Sequence, residues 1–424
     1  ITSPLADPHS DPRGFLTGLF HIAVENADPM KSVAAHLPER PEGRLFVIGA
    51  GKASARMAEA VEATYGPCEG FVITRYGYAR PCEGIEIVEA AHPVPDQAGL
   101  EATQVLLSRV NDLTEEDTVI ALISGGGSAL LCAPTEGITL EEKQALNQAL
   151  LSSGAPISEM NAVRGQFSDV KAGQLAAACH PAKVISLLIS DVPGDNPAEI
   201  ASGPTVPSES TPQKAQEVIE KWGIPLPQKL QAILDERAKV TTFPNSPKSQ
   251  DEVHIVAAPS QSLLAAAEAA KALGCKVEIL GDAIEGEARD LAAEQIKLAI
   301  FEQSKMAPND PPLLLLSGGE CTVTRRGDGI GGPNAEFTLA ALLALKDQSG
   351  IHVMACDTDG VDGAAEVAGA YAWPQLVNEF ETAETALAEN DAHRFFEKKK
   401  AQVVTGPTLT NVNDFRAILV FPPK

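Results

Sequence analysis

The chain has 424 residues and a formal net charge of −24, and 44% of its residues are hydrophobic. This length predicts two or three domains, and the acidic balance without a Lys/Arg cluster argues against nucleic-acid binding. The sequence contains no run of 18 apolar residues, so it predicts no membrane helix. The seven scattered cysteines lack CxxC or zinc-site spacing and fit reduced thiols in the cytoplasm.

Short apolar runs alternate with helical periods along the chain. The predicted strands are Leu45–Ile48, Gly70–Thr74, Ile85–Glu89, Val119–Ser124, Val184–Ser190, Val253–Ala257, Lys276–Leu280, Leu313–Ser317, His352–Cys356, Val403–Thr405 and Ala417–Phe421. The predicted helices include Lys52–Thr64, Gln97–Val110, Leu140–Ser152, Ser260–Leu273 and Glu285–Gln303. Continuous apolar strands between helices predict an α/β protein in which each sheet is mainly parallel and flanked by helices.

A Pro-rich segment from about Ser202 to Ser249 marks the predicted domain boundary, placed near Thr241–Gln250. We therefore expect an N-terminal Rossmann-like domain over residues 1–245 and a second α/β domain over residues 246–424. Each half contains one Ser-Gly-Gly turn directly after a strand. Because ligands of open parallel sheets bind at the carboxyl ends of strands, these turns predict a cleft between the domains.

The strongest anion-binding candidates are two turns in the first domain. GAGKAS follows the first strand, and its glycines and the next helix could face a phosphate, with Lys52 as a cation. ISGGGSALL follows a later strand, and three consecutive glycines permit close approach of a phosphate. An ordinary tight turn is the alternative reading for both. The predicted nucleotide contacts here are Gly49, Gly51, Ser124, Gly125, Gly126, Gly127 and Ser128.

A second Gly-rich region lies in the second domain. The turn SGGE follows a strand, and the loop DGIGGPNAE leads into a helix expected at Glu336. This pattern is typical of a nucleotide-facing loop, although a surface hairpin would look the same. The predicted contacts are Ser317, Gly318, Gly319, Glu320, Asn334 and Glu336.

Carboxylates at strand ends are the candidate Mg²⁺ ligands. Asp191 follows one predicted strand, and DTDGVDG, with Asp357, Asp359 and Asp362, follows another. Mg²⁺ prefers oxygen ligands of this kind, but Asp residues also cap helices and form turns.

The acid substrate is expected to bind polar and cationic groups in two places. Arg164 and Lys171 lie seven residues apart on one helix face, close to Asn161, and could clamp a carboxylate. The segment TGPTLTNVND supplies Asn411, Asn413 and Asp414 after a strand. A solvated face and an ordinary turn, respectively, are the alternatives.

Together the motifs resemble a known family. GAGKAS, AAHPVPD, ISGGGSALL, MNAVR, LLISDVPGDNPAEIASGPTV, LSGGECTV, GGPNAEF, DTDGVDG and TGPTLTNVND are similar, in order from about Arg13 to Phe421, to class II glycerate kinases. These are glycerate 2-kinases with a DUF4147-type domain followed by a MOFRL domain. Some bacterial members are labelled hydroxypyruvate reductase of tartrate-utilisation operons.

The resemblance implies transfer of a phosphoryl group from ATP, with Mg²⁺, to glycerate, typically giving 2-phosphoglycerate. Lys52 looks like the family's essential lysine and Ser124–Ser128 like its phosphate-facing loop. Asp191 and Asp359 look like metal-binding and hydroxyl-orienting residues, which makes them catalytic candidates beside Lys52. The oligomeric state, monomer or homodimer, stays open.

The sequence also departs from the family pattern at positions that often carry cations. The neutral residues there are Gly165, Gln166, Gln174 and Pro333. Each lost cation could remove transition-state stabilisation, so a different acid substrate or a weakened nucleotide-binding homologue is an alternative. An NAD(P)H-dependent hydroxypyruvate reductase is a further alternative. The sequence disfavours it because GAGKASA lacks the third glycine of the dinucleotide fingerprint.

Overall fold

The computed structural model describes residues 5–207, 211–239, 250–346, 348–373, 375, 376 and 380–423. The strands are β1 Leu45–Ala50, β2 Glu69–Arg75, β3 Ile85–Ala90, β4 Thr118–Ile123, β5 Lys183–Ile189, β6 Glu252–Ala257, β7 Lys276–Gly281, β8 Gly286–Glu287, β9 Leu313–Ser317, β10 Cys321–Thr322, β11 Ile351–Asp357, β12 Gly369–Ala372, β13 Gln402–Val403 and β14 Asp414–Val420. Each predicted strand overlaps an observed one: Leu313–Ser317 has the predicted bounds, Val403–Thr405 overlaps β13 at Val403 alone, and the others have shifted ends. The short strands β8, β10 and β12 were not predicted.

The α-helices follow the predicted periods and add several short ones. They are α1 Pro12–Asn26, α2 Pro29–Ser32, α3 Ser54–Tyr65, α4 Gln97–Arg109, α5 Gly127–Leu130, α6 Leu140–Ser153, α7 Ile157–Gln166, α8 Gln174–Cys179, α9 Pro212–Trp222, α10 Gln228–Ala238, α11 Pro259–Ala272, α12 Ala288–Lys305, α13 Pro333–Leu345, α14 Phe380–Ala388 and α15 Ala392–Lys398. Within the described ranges, no helix combines the length and the apolar character needed to cross a membrane.

Two compact units make up the chain. The N-terminal unit contains Pro29–Ser190 and Asp195–Val256; the C-terminal unit contains the segment up to Asp28, Asp191–Gly194 and the chain from Ala257 onward. The predicted boundary after residue 245 lies outside the described residues. The sequence prediction assigned the first segment to the N-terminal domain, whereas its contacts group it with the C-terminal unit. Helix α1 buries apolar residues such as Phe15 and Phe20 in the C-terminal core, and apolar burial outweighs chain order.

The N-terminal unit is built on a six-stranded sheet in the order β3-β2-β1-β4-β5-β6. The pairings of β1 with β2 and β4, of β2 with β3 and of β4 with β5 are parallel, as predicted. All six residues of β1 are buried, as expected for a strand covered on both faces. Beside the sheet, helices α6, α7, α9 and α10 share an apolar core that includes Leu150, Val163 and Val218.

The C-terminal sheet has the order β13-β12-β11-β14-β9-β7. Its pairings are antiparallel except for β7 with β9, so the predicted mainly parallel sheet is wrong for this unit. The reason lies in burial. One face packs against α1 and α11, and the other packs against α12 and α13. Central strands covered on both faces have continuous apolar sequences whichever way they run, so the apolar pattern does not encode strand direction.

Candidate functional site

The two predicted anion-binding turns of the N-terminal unit lie side by side. Ala50 and Ile123 end β1 and β4 as register partners, so the chain leaves both strands at the same edge of the sheet. The Lys52 backbone N–H donates to the Gly125 carbonyl at 2.8 Å, and the Ala53 N–H donates to Ser124 Oγ at 3.0 Å. The structure therefore joins GAGKAS and SGGGS into one surface.

Some of the predicted contact residues hold this surface together. Ser124 is fully buried, and its hydroxyl accepts from Ala53. A Cβ on Gly51, whose φ is +145°, would lie 2.1 Å from Ser124 Oγ, and one on Gly49 would lie 2.6 Å from the Leu122 carbonyl. The close approach of the two turns therefore accounts for these glycines. Gly126 and Ser128, of the stretch Gly125–Ser128, line a cavity instead.

A cavity of about 630 Å³ opens beside this stretch. Gly126, Ser128, Arg164 and Lys171 line it, together with His92. A Cβ on Gly126, where φ is +83°, would lie 3.2 Å from Lys52 Cγ and 3.0 Å from the His92 ring. The stem of Lys52 and the His92 ring thus lie next to the glycine at the cavity wall, and the structure brings most of the predicted N-terminal site together.

Buried cations give this cavity its chemistry. Lys171 is 3% exposed, and its Nζ donates to the Ser128 carbonyl at 2.8 Å. Arg164 donates through Nε to Asn147 Oδ1 at 3.2 Å and through Nη1 to Asn161 Oδ1 at 3.3 Å. Burial, followed by the nearby Lys143 and Arg164 charges, holds the pKa of Lys171 well below its ordinary value. Burial likewise lowers the pKa of Arg164.

Lys143 is a third cation in this region, and the sequence analysis missed it. It is 6% exposed, and its Nζ has no hydrogen-bond partner among the described residues. Burial lowers the pKa of Lys143, opposed by the nearby Cys132 and Asp169. Its sequence context, one turn into an amphipathic helix, resembles an ordinary exposed position, so only its burial reveals it.

A short chain of hydroxyls connects the cavity wall with Asn161. Ser128 Oγ lies 2.7 Å from Ser202 Oγ, and the Ser202 hydroxyl donates to Asn161 Oδ1 at 3.2 Å. Ala201 and Ser202 have φ values of +52° and +64°, in the left-handed region that favours glycine. Strained residues of this kind cluster at functional sites. Ser202 was not predicted, because a serine before Gly-Pro reads as a turn residue.

The C-terminal unit holds the other predicted residues. Asn411 Nδ2 donates to Asp191 Oδ2 at 3.3 Å, which brings one predicted metal ligand to one predicted substrate residue. Asn413 is 7% exposed, and its carbonyl accepts the Thr358 hydroxyl at 2.7 Å. The structure therefore brings Asn411 of the TGPTLTNVND segment next to Asp191, a contact that the sequence did not predict.

The predicted carboxylate cluster of DTDGVDG is arranged differently from the expectation. The Asp359 N–H donates to Asp357 Oδ1 at 3.0 Å, and the Val361 N–H donates to Asp359 Oδ1 at 2.8 Å. Asp362 accepts from the backbone N–H groups of Asn334 and Ala335 at 2.9 and 2.8 Å. These are turn and helix-end contacts. In the part of the chain that the structure describes, no three His, Cys, Asp or Glu side chains form a metal-binding group.

Comparison with known proteins places the chain in a family. The DUF4147 domain of unknown function matches residues 15–235, and the MOFRL family matches residues 313–414. The D-glycerate 2-kinase of Thermotoga maritima is 38% identical over 92% of this chain and 94% of its own. The chain belongs to the glycerate kinase family with DUF4147 and MOFRL domains.

Other relatives of this glycerate kinase family agree in fold and extent. A crystal structure of glycerate kinase from Thermotoga maritima superposes with a TM-score of 0.84, at 36% identity, covering 95% of this chain and 98% of that one. A protein of Agrobacterium vitis, provisionally named hydroxypyruvate reductase, is 47% identical over 96% of this chain and 94% of its own length. As a member of this family, the chain is an enzyme.

Several residues predicted to bind nucleotide or substrate in the MOFRL part form a buried network instead. Glu336 is fully buried and is paired with Arg289 at 2.5 Å and with Asn390 at 2.9 Å. Asn334 donates through Nδ2 to Asp414 Oδ1 at 2.6 Å. Burial first of all raises the pKa of Asp414 to about 6, against the lowering effect of Arg416. These side chains stabilise the start of α13.

The four neutral residues at positions that often carry cations in the family also have structural roles. Pro333 is the first residue of α13, where proline fits because its missing N–H is not needed. Gln174 Nε2 donates to the Ser168 carbonyl. Gly165 and Gln166 are buried at the end of α7. At these positions the chain therefore contributes packing and hydrogen bonds instead of positive charge.

Proposed function

We propose that the enzyme transfers the γ-phosphoryl group of ATP, with Mg²⁺, to a hydroxyl of glycerate or of a closely related hydroxy acid, with 2-phosphoglycerate as the product from glycerate. The observation that carries this proposal is the joining of Lys52 and the Gly125–Ser128 stretch at a cavity that is lined by the partly buried Arg164 and the buried Lys171. Phosphoryl transfer needs positioning and charge stabilisation, and this surface offers both.

Each residue has a role that follows from its place. Lys52 would hold the transferring phosphoryl group and stabilise the negative charge that spreads over its oxygens in the transition state. Arg164 and Lys171 would hold anionic groups of the substrates. The hydroxyls of Ser128 and Ser202 connect that surface to Asn161, which keeps the Arg164 guanidinium in place.

Two carboxylates of the C-terminal unit have the chemistry that Mg²⁺ requires. Mg²⁺ in kinases is held by one or two carboxylates and by substrate phosphates, so a three-carboxylate cage is not required. Asp191, oriented by the Asn411 amide, and Asp359 supply carboxylate oxygens of the right kind. When bound, Mg²⁺ would neutralise phosphate charge. Asp362 is not included, because its oxygens accept from the first N–H groups of α13 and face His393 at 2.9 Å.

The test is ADP release from ATP and Mg²⁺ across a panel of hydroxy acids that includes both glycerate enantiomers, with phosphorus NMR to identify the phosphorylated hydroxyl. We expect turnover with glycerate or with one close analogue. Well-folded protein that releases no ADP with any acid would contradict the proposal.

The relative from Agrobacterium vitis provides one reason to test a second function, reduction of hydroxypyruvate by NAD(P)H. The first turn of this chain lacks the third glycine of a dinucleotide site, because Ser54 stands at that position. We therefore expect no loss of nicotinamide absorbance when the same protein samples are mixed with NAD(P)H and hydroxypyruvate. Such a loss, without ADP release in the first assay, would favour the reductase.

A further inference from the structure

The 630 Å³ cavity of the N-terminal unit has two ends of different chemistry. Its floor contains the buried Lys171 and the partly buried Arg164. Its rim contains large apolar side chains that are exposed, namely Val94 at 60%, Leu151 at 59% and Ile157 at 43%. Exposed apolar groups around a pocket mark a surface that a ligand covers. The cavity therefore suits a ligand with an anionic end and an apolar end.

The floor contains more basic side chains than a small acid can neutralise, and a bound polyanion would favour their charged forms, because its charge offsets the burial that lowers the pKa of Lys171 and of Lys143. Lys143 lies close enough to Arg164 and Lys171 for their charges to interact, and Cys132 and Asp169 are the groups that oppose the lowering of its pKa by burial. Asp169, the nearest carboxylate, is shared with Arg237 at 3.3 Å. The carboxylate that lines the cavity, Glu141, is exposed and lies at the helix start, away from the floor. A glycerate carboxylate carries one charge, whereas a nucleotide polyphosphate carries three or four.

A second cavity in the same unit, of about 870 Å³, has the opposite character. Its lining includes the carboxylates Glu159, Glu199 and Glu217, with Lys214 as the one cation among the lining residues that the structure describes. Carboxylates would repel a polyphosphate. Charge therefore directs a nucleotide to the first cavity.

We propose that the cavity lined by Arg164 and Lys171 binds the nucleotide, with the base against Val94, Leu151 and Ile157. The α- and β-phosphates lie on the two cations, and the polyphosphate continues along Gly126 to Lys52. The Lys52 stem, next to Gly126, is in the right place for the terminal phosphate. This rests on the proposed kinase function. It also reassigns Arg164 and Lys171 from the acid carboxylate, expected from the sequence, to the phosphates.

The rim adds hydrogen-bonding groups of the kind that a base edge needs. Gln144, Gln148 and Asn147 line the cavity on α6, the helix that also carries Leu151. Gln144 Nε2 donates to the Pro95 carbonyl at 2.7 Å, which fixes its amide at the rim. Apolar faces with a few oriented polar groups are typical of small-ligand pockets.

The experiment separates the contribution of the base to the binding affinity from the contribution of the phosphates. Binding of ADP and of inorganic tripolyphosphate is measured by calorimetry for the wild type, Leu151→Glu and Lys143→Met. We expect Leu151→Glu to weaken ADP binding about tenfold and tripolyphosphate binding by much less, because the base contacts the rim whereas the added carboxylate acts on the phosphates only from a distance. We expect Lys143→Met to weaken both, because it removes positive charge behind the phosphates.

Two controls keep the result interpretable. Leu264→Glu changes an exposed leucine of the C-terminal unit, 53% exposed, and should alter neither affinity. If Leu151→Glu unfolds the protein, as seen by circular dichroism, Leu151→Gln replaces it. Unchanged ADP binding in the folded Leu151 variant, or a higher KM for the acid with an unchanged KM for ATP, would overturn the inference and leave the kinase proposal standing. ADP binding at the rim without phosphoryl transfer would instead overturn the kinase proposal alone.

Discussion

Two turns with nearly the same sequence, Ser124–Ser128 and Ser317–Glu320, follow central strands of the two units. The first lies at a cavity beside Lys52 and the buried Lys171. The polar groups of the second are bonded within the protein: the Gly318 carbonyl accepts from Arg416, and the Gly319 carbonyl accepts from the Asp414 N–H. Ser317 is 1% exposed, and its hydroxyl contacts Gln295 and Arg416.

The difference shows what makes a glycine-rich turn an anion site. Glycine permits a close approach of any backbone, and in the second turn that backbone is the protein's own. A Cβ on Gly319 would lie 2.3 Å from the Ile284 nitrogen and oxygen. The first turn instead adjoins a cavity that is lined by Arg164 and Lys171. The predicted nucleotide contacts at Ser317, Gly318 and Gly319 are therefore replaced by structural ones.

The largest expected effect is the difference in stability between a variant of Arg416, beside the second turn, and a variant of Lys171, beside the first turn. Arg416 is fully buried and donates to Ser317, Ile284 and Gly318. We expect Arg416→Met to lower the free energy of unfolding of the C-terminal unit by about 3–5 kcal/mol, because it leaves buried acceptors and Asp414 uncompensated. Lys171→Met removes a desolvated cation and should change stability by only about 1 kcal/mol while weakening ligand binding.

Urea unfolding and ATP binding of both variants provide the measurement. A Lys171→Met protein as unstable as Arg416→Met would mean that the first turn also depends on its cation for folding. The comparison between the two turns would then fail.

The next effect is on turnover. We expect Lys52→Ala to lower kcat by about 10²-fold or more with little change in stability, because the ammonium group acts on charge that develops in the transition state. Steady-state kinetics with ATP and the best acid measure the loss. Lys271→Ala, which removes an exposed helix lysine paired with Glu268, is the matched control. Wild-type turnover in Lys52→Ala would exclude the lysine from the reaction.

The glycines of the two turns provide a sharper contrast. Gly319→Ala should cost about 3 kcal/mol of stability, because its Cβ would overlap backbone atoms at a φ of +109°. Gly126→Ala places its Cβ against the movable ends of His92 and Lys52, so we expect a cost of about 1 kcal/mol and a larger loss of ATP affinity. Thermal unfolding and calorimetry give both quantities. Equal stability losses would show that the two turns are equally packed.

The smallest expected effect is a loss of stability at acid pH that is confined to the C-terminal unit. Burial lowers the pKa of His352, on β11, to about 4, while the unfolded chain keeps the ordinary value near 6.5. The unfolded state therefore binds more protons between these values, and stability falls as the pH drops below 6.5. We expect a loss of about 2 kcal/mol at pH 5 for the C-terminal unit.

Replacement of His352 should remove that acid sensitivity. His352→Asn keeps a polar atom near the Tyr371 hydroxyl, which lies 2.6 Å from Nδ1. Urea unfolding at pH 7 and pH 5 compares the two proteins. If the variant loses as much stability between pH 7 and pH 5 as the wild type does, the acid sensitivity belongs to another group.

The sequence by itself determined the α/β class, the positions of the main strands and the turns of the N-terminal site. It could do so because buried strands are continuous apolar runs and because glycines mark turns, both local properties of the chain. The joining of Lys52 to the SGGGS turn followed from parallel strands whose carboxyl ends meet at one edge.

The tertiary structure decided what local patterns cannot contain. Strand direction in the C-terminal sheet, the place of α1 in that unit and the burial of Lys143 all depend on contacts between distant parts of the chain. The sequence predicted Asp362 and Glu336 as ligand-binding residues because carboxylates can bind metals and polar ligands. Whether a carboxylate meets a metal, an arginine or a helix end is determined by packing, since a buried charge must be paired where the fold places it.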